Sequence, residues 1–185
     1  MTKKVEIEIK LRVKDPAEIP VLLPRLGARL LHPREFEDNQ LFDFPGRLLQ
    51  KAGKMLRVRV CDRGTLLTYK EGARVADGAK VRDEMEVTVD QGGTLTAILT
   101  RLGMAPTFRY QKYRTTYQYG DLLVTVDETP IGTYLELEGP KPMIDEMAKK
   151  LGYSASDYVL GSYRDLFAAE QGGQDRDPGD MLFHA

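Results

Sequence analysis

The chain has 185 residues, 27 Lys and Arg against 28 Asp and Glu, a formal net charge of -1 and one cysteine. That length suits one domain, the near-neutral balance argues against nucleic-acid binding through bulk charge, and a lone Cys61 excludes an internal disulfide or a cysteine-based zinc knuckle. No run of 18 apolar residues occurs, and Met1-Thr2-Lys3-Lys4 meets charge at once without an apolar signal core, so no membrane span is expected and the expected compartment is the cytoplasm.

Residues 5–13 alternate apolar and charged side chains without a break, the period-two pattern of a strand. Asp15-Pro16-Ala17-Glu18 reads as a helix start with Asp15 as N-cap, although Pro20 and Pro24 argue against a long regular helix. Strands are predicted over 34–44, 56–60, 66–70 and 83–89. The connections 50–54 and 71–80 between them read as loops able to act as lips over a site. Residues 94–102 form an amphipathic helix, with Leu95, Ile98, Leu99 and Leu102 on one face and Gly103 able to end it. Strands over 108–119 and 122–127 make a hairpin at Gly120-Asp121, and 133–138 is the eighth strand. Helices follow over 142–151 and 162–167, and from Ala169 onward the Gly-, Gln- and Asp-rich composition reads as a flexible tail. The expectation is an α+β chain with one domain over residues 1–168 and a tail over 169–185.

The polar faces of these strands carry the chemistry. Glu6, Glu8, Lys10 and Arg12 share one face of the first strand, opposite Ile7, Ile9, Leu11 and Val13. The same spacing pairs Arg57 with Arg59, Glu84 with Glu86, Lys112 with Arg114, and Glu136 with Glu138, while Lys70 and Asp127 close their strands. A solvated outer face explains any one strand. It explains the set less well, because like charges about 7 Å apart repel unless opposite charge stands among them. Carboxylates grouped without His or Cys suit a hard divalent cation, Mg²⁺ or Mn²⁺. The Arg and Lys set, with Lys10, Arg12 and Arg82, suits polyphosphate oxygens. A closed antiparallel barrel with its polar side chains inward, and helices outside over Ile7, Ile9, Val58, Val87 and Leu135, would bring both sets together.

Glu6-x-Glu8-x-Lys10 is followed in order by Leu56-Arg57-Val58-Arg59, Tyr69-Lys70, Lys112-Tyr113-Arg114, Val126-Asp127 and Leu135-Glu136-Leu137-Glu138. This succession, over about residues 4–167, resembles the CYTH superfamily, also called triphosphate tunnel metalloenzymes, in its class IV adenylate cyclase and thiamine triphosphatase-like branch. Ser162-Tyr163-Arg164-Asp165-Leu166 looks like the ending of the cyclase branch. The resemblance implies an eight-stranded antiparallel tunnel that binds triphosphate compounds with divalent metal. By it Glu6, Glu8, Glu136 and Glu138, supported by Asp127, would hold one or two metal ions. Arg57, Arg59, Lys70, Lys112 and Arg114 would clamp the triphosphate. Lys10 would either activate the nucleophile, if neighbouring cations depress its pKa, or serve as a phosphate contact or salt bridge to Glu8. Glu84 and Glu86 would join the metal or orient basic side chains, and Tyr110, on the Lys112 face, is within reach of a ligand.

Three functions compete. The first is metal-dependent hydrolysis of inorganic triphosphate, thiamine triphosphate or a nucleoside triphosphate. The second is class IV-type cyclisation of ATP to cyclic AMP and pyrophosphate. The third is a non-catalytic polyphosphate-binding module, which the carboxylate set disfavours because a binder could neutralise phosphate with cations alone. No self-contained purine-recognition motif is present, which places hydrolysis ahead of cyclisation. The partner is a small triphosphate-bearing molecule, with no nucleic acid and no membrane, and a homodimer is expected only by analogy with the cyclase branch.

Overall fold

The computed structural model describes residues 4–172 and 179–184. Eight antiparallel strands run in the order β5-β4-β3-β2-β6-β7-β8-β1, and pairing of β1 with β5 closes them into a barrel. These are β1 (Lys4–Arg12), β2 (Arg29–Asp43), β3 (Met55–Cys61), β4 (Gly64–Ala76), β5 (Ala79–Val89), β6 (Ala105–Tyr119), β7 (Leu122–Thr129) and β8 (Gly132–Glu138). β1 is the hub: Lys4 to Glu8 pair with β5, and Glu8 to Arg12 pair with β8. Where β5 ends, the two-residue β9 (Tyr158–Val159) takes over its side of β1 opposite Lys10 and Leu11.

The barrel is inverted relative to an ordinary one. Its outward side chains Ile9, Leu11, Val124, Leu135 and Leu137 are buried under α1 (Ile19–Arg25) and α4 (Lys141–Lys150), which contribute Leu23, Ile144 and Met147. Each such side chain contributes about 1.5–3 kcal/mol by leaving water, so the apolar stabilisation lies outside the barrel and leaves its interior free for charge. A second apolar cluster joins Phe42 and Val58 to Leu99 of α3 (Gly92–Arg101) and to Met104. Val87, expected beneath a helix, is 55% exposed because α3 lies over β3 and β4 rather than over β5.

Local departures from the sequence expectations have identifiable causes. The Asp15 carboxylate accepts a bond from the Ala17 N–H in a turn, and α1 starts only at Ile19, with Pro20 in its first turn where a missing N–H costs nothing. β2 begins at Arg29, upstream of Pro33, because register irregularities on both sides of His32 absorb the proline. The expected loop 71–80 is mostly strand. β4 and β5 form one long hairpin closed at Asp77 (φ 50°) and Gly78 (φ 72°), the Asp-Gly signature of a two-residue turn. Within 50–54 the chain makes the end of a short helix, α2 (Leu48–Lys51), whose Leu49 and Gln50 N–H groups donate to the Asp43 carboxylate at 2.8 and 3.0 Å.

The final helix α5 (Tyr163–Glu170) opens on a capping box made by Ser162 and Asp165. Of the expected tail, 169–170 complete this helix and residues 173–178 and 185 lie outside the described residues. Met181 is fully buried and pairs with Tyr110 of β6. No helix among the described residues is long and apolar enough to cross a membrane.

Candidate active site

The barrel encloses a cavity of about 480 Å³ whose wall includes Glu6, Glu8, Lys10, Arg57, Arg59, Lys70, Lys112, Arg114, Glu136 and Glu138. The i, i+2 spacing explains this: every second residue of each strand points inward, and in this barrel those are the charged ones. Arg12 does not join them. At the far end of β1 its side chain is exposed, lies over the Tyr134 ring and donates to Glu170 and the Ile131 carbonyl.

Acidic and basic residues are interleaved as ion pairs rather than gathered into two opposed patches. Lys70 Nζ sits 2.5 Å from Glu6 and 2.6 Å from Glu84. Arg82 reaches Glu8 at 3.0 Å, and Lys10 lies 3.2 Å from Glu136 and 3.5 Å from Glu8. Arg57 donates to Thr68 Oγ1 (3.1 Å) and the Tyr110 hydroxyl (3.4 Å), with Glu86 at 3.6 Å. Glu84 and Glu86 thus orient basic side chains. Arg114 grips Asp127 through two hydrogen bonds of 2.6 Å and also bonds Glu136. Asp127 further accepts from Lys112 (2.8 Å) and the Tyr163 hydroxyl (2.7 Å), so its oxygens are engaged by cations and a phenol.

The pairing sets the protonation states. Burial would push the Glu8 carboxyl up, but Lys10, Lys70 and Arg82 hold it down to about 2. Burial would lower Lys10, but Glu136 and Glu8 raise it above the usual lysine range. The depressed pKa that would let Lys10 take a proton is therefore not found, because carboxylates rather than cations face it most closely. Lys80, at the cavity wall, is the lysine brought down, to about 8, by burial and by Arg82 and Lys10.

Two contributors on β2 went unnoticed in the sequence. Glu37 of β2 is fully buried, 3.1 Å from Arg59 and 3.5 Å from Lys112. Asn39, two residues on, accepts from Arg59 Nε at 3.0 Å. Glu35, Glu37 and Asn39 repeat the inward spacing of the other strands, the signal that would have found them. The Tyr163 ring lies beneath Lys10 and Lys112, 5.5 and 5.1 Å from their nitrogens.

A divalent cation would need hard oxygens, and the donor set supplies them. Glu8 stands opposite Glu138 in the β1–β8 register with Glu6 two residues along β1, and Glu6 Oε2 is buried without a hydrogen-bond partner. Among the described residues no three acidic, histidine or cysteine side chains are already gathered as a cation cage. Glu138 meanwhile bonds Lys4 at 2.6 Å. The chemistry therefore fits a metal whose ligands first release their ammonium and guanidinium partners. Arg57 Nε, also buried and without a hydrogen-bond partner, is a donor left over for an anion.

The family model described as the CYTH domain matches residues 4–163. The chain belongs to the CYTH family. A curated relative from Methanocaldococcus jannaschii, named "Putative adenylate cyclase MJ0240", is 28% identical over 173 residues, covering 88% of this chain and 98% of that protein. Among solved structures, a Vibrio parahaemolyticus protein called a "putative adenylate cyclase" superposes with TM-score 0.79 at 18% identity, covering 89% of this chain and 98% of the other. A Hippeastrum protein, HpAC1, superposes with TM-score 0.65 at 20% identity over 93% of this chain and 98% of its own; it is described as a "putative adenylyl cyclase" with a dominant triphosphatase activity. These solved structures share the barrel fold of this chain.

Proposed function

We propose that this CYTH protein is a divalent-metal-dependent enzyme that binds a triphosphate compound in its tunnel and hydrolyses it. The observation that carries the reading is the convergence of Arg57, Arg59, Lys70, Lys112 and Arg114 on one cavity inside the barrel whose wall also includes Glu6, Glu8 and Glu136. Arg57 and Arg59 offer planar, multidentate donors to phosphate oxygens, while Lys70 and Lys112 act as point charges. In a cavity lined by these largely buried side chains the cations would stabilise charge that develops as a phosphoryl group departs. Lys10, kept protonated by Glu136 and Glu8, serves as another phosphate contact rather than as a base. A bound Mg²⁺ or Mn²⁺ would neutralise phosphate charge and polarise the phosphorus–oxygen bonds, with Glu6, Glu8 and Glu138 as its nearest ligands.

Hydrolysis stands ahead of cyclisation because the tunnel explains a triphosphate clamp in full, and because a neighbour of the same fold, HpAC1, is described as mainly a triphosphatase. Cyclisation of ATP is the second reading, favoured by the cyclase name of the M. jannaschii relative. Incubation with Mg²⁺ or Mn²⁺ and, separately, inorganic triphosphate, ATP and thiamine triphosphate decides between them. Orthophosphate release supports hydrolysis. Cyclic AMP with pyrophosphate replaces it with cyclisation, and no turnover of any of the three refutes both.

A further inference from the structure

β6 and β7 pair only from Tyr113 onward, so residues 105–112 of β6 have no β7 partner along that edge. The opening that results is closed by two pieces, one starting at residue 163, where the CYTH match ends, and one beyond it. One is α5. The other is a strap at residues 180–183, whose Met181 N–H donates to the Arg109 carbonyl at 2.9 Å and whose Met181 carbonyl accepts from the Gln111 N–H at 3.0 Å. The Asp180 carboxylate accepts from the Arg109 N–H at 2.7 Å, and the Phe183 ring packs on Tyr113 with centroids 5.4 Å apart.

The Met181 side chain is fully buried in a cluster with Phe108, Tyr110, Ile131, Tyr134 and Tyr163. Tyr110 and Tyr163 face one another at 6.1 Å, and each presents its hydroxyl to a different arm of the basic clamp. Tyr110 accepts from Arg57 on β3 at 3.4 Å. Tyr163 donates to Asp127 at 2.7 Å, and Asp127 holds Lys112 and Arg114 of β6. The thioether thus lies in the same cluster as both phenols, beside the stretch of β6 edge that β7 leaves unpaired.

We propose that Met181 is a positioning residue: the 180–183 strap closes the β6–β7 seam behind Tyr110 and Tyr163 and thereby sets the spacing of the two cationic arms that receive the triphosphate. The inference rests on the triphosphate reading above. The thioether packs in the same buried cluster as both rings and lies outside the cavity lining, so its effect passes through the phenols. Small displacements of clamp groups are costly because several donors must meet one polyanion at once.

The test uses the full chain, inorganic triphosphate with Mg²⁺ as ligand, and near-UV circular dichroism of the tyrosines as a ligand-free readout. Met181→Ser is expected to weaken triphosphate binding about tenfold and to diminish the tyrosine signal, while Met181→Leu, which refills the space, stays within about twofold of the parent in both. Unchanged affinity in Met181→Ser, or an equal loss in Met181→Leu, overturns the proposal. If Met181→Ser does not fold, Asp180→Ala loosens only the exposed end of the strap; a loss of about threefold supports the proposal and none overturns it. Failure of the parent protein to bind triphosphate refutes the functional reading instead, and the tyrosine signal then decides the strap: if it is the same in Met181→Ser as in the parent, Met181 does not position the phenols.

Discussion

Glu37 offers the sharpest test of how the tunnel is held together. Its carboxyl is fully buried, burial alone would raise its pKa, and yet Lys112, Arg114 and Arg59 bring it down to about 2 from an ordinary 4.5. At roughly 1.4 kcal/mol per tenfold change in acid strength, that difference is worth about 3 kcal/mol at neutral pH. The contribution is fully present above pH 4.5, shrinks to about 1.4 kcal/mol at pH 3, and is lost as the pH falls through 2. Glu37→Gln keeps the shape and removes the charge, leaving Arg59 and Lys112 facing an amide. For a chain of this length the expected cost is roughly 10 °C in Tm at pH 7, with less than half that gap remaining at pH 3. Calorimetric melting of both proteins at the two pH values measures it. Equal Tm at pH 7, or a gap that does not narrow on acidification, refutes the ion-pair account. The same substitution removes a negative charge from beside the clamp, so inorganic triphosphate should bind Glu37→Gln more tightly than the parent.

Other variants probe the remaining assignments. Arg57→Ala should weaken inorganic triphosphate binding by roughly 10- to 100-fold, the loss of a charge-assisted hydrogen bond, while Arg12→Ala should leave titration calorimetry unchanged because Arg12 lies outside the tunnel. Glu6→Gln combined with Glu8→Gln should abolish stimulation of turnover by Mg²⁺ or Mn²⁺; an unaltered metal half-saturation point would remove both residues from the metal site. Lys10→Arg should retain most of the triphosphate affinity that Lys10→Met loses, since the structure gives Lys10 a charge to hold rather than a proton to accept; equal losses in the two variants would contradict that role. Triphosphate affinity should also rise when Mg²⁺ is present, read by the same calorimetry.

The barrel was legible because one physical rule, period-two alternation, operates cleanly on strands such as β1, β3 and β8 and leaves charged side chains on one face and Ile, Leu and Val on the other. The clamp residues followed from it, since Arg57, Arg59, Lys112 and Arg114 need only point inward to meet. What the alternation does not carry is partner choice. Lys10 is next to both like and opposite charge in sequence, and only the β1–β8 register, which sets it across from Glu136, decides that carboxylates dominate its pKa. Arg12 has the right parity but stands past the end of the tunnel, a matter of strand stagger that no single strand reveals. Glu37 had the signal, but the surrounding strand mixes Phe36, Asp38 and Gln40 and so lacks clean alternation. Met181 lay in a stretch of tail-like composition, and its burial depends on a gap between β6 and β7 visible only in three dimensions.

The near-zero net charge has a structural meaning once the pairs are assigned. The cations named for the clamp all stand within 4 Å of a carboxylate: Arg57 of Glu86, Arg59 of Glu37, Lys70 of Glu6, Lys112 and Arg114 of Asp127. Buried cations left unpaired would cost far more than the fold can supply, so an empty tunnel must carry its own counter-ions. A polyanion entering such a site replaces carboxylates as the partner of the guanidinium and ammonium groups, and the carboxylates it frees are left buried and in need of positive charge. A divalent cation would meet that need on the β1–β8 side, where Glu8 and Glu138 face each other in register and Glu6 stands two residues along β1. Triphosphate and metal would therefore assist one another through the exchange of partners, each supplying the charge that the other displaces.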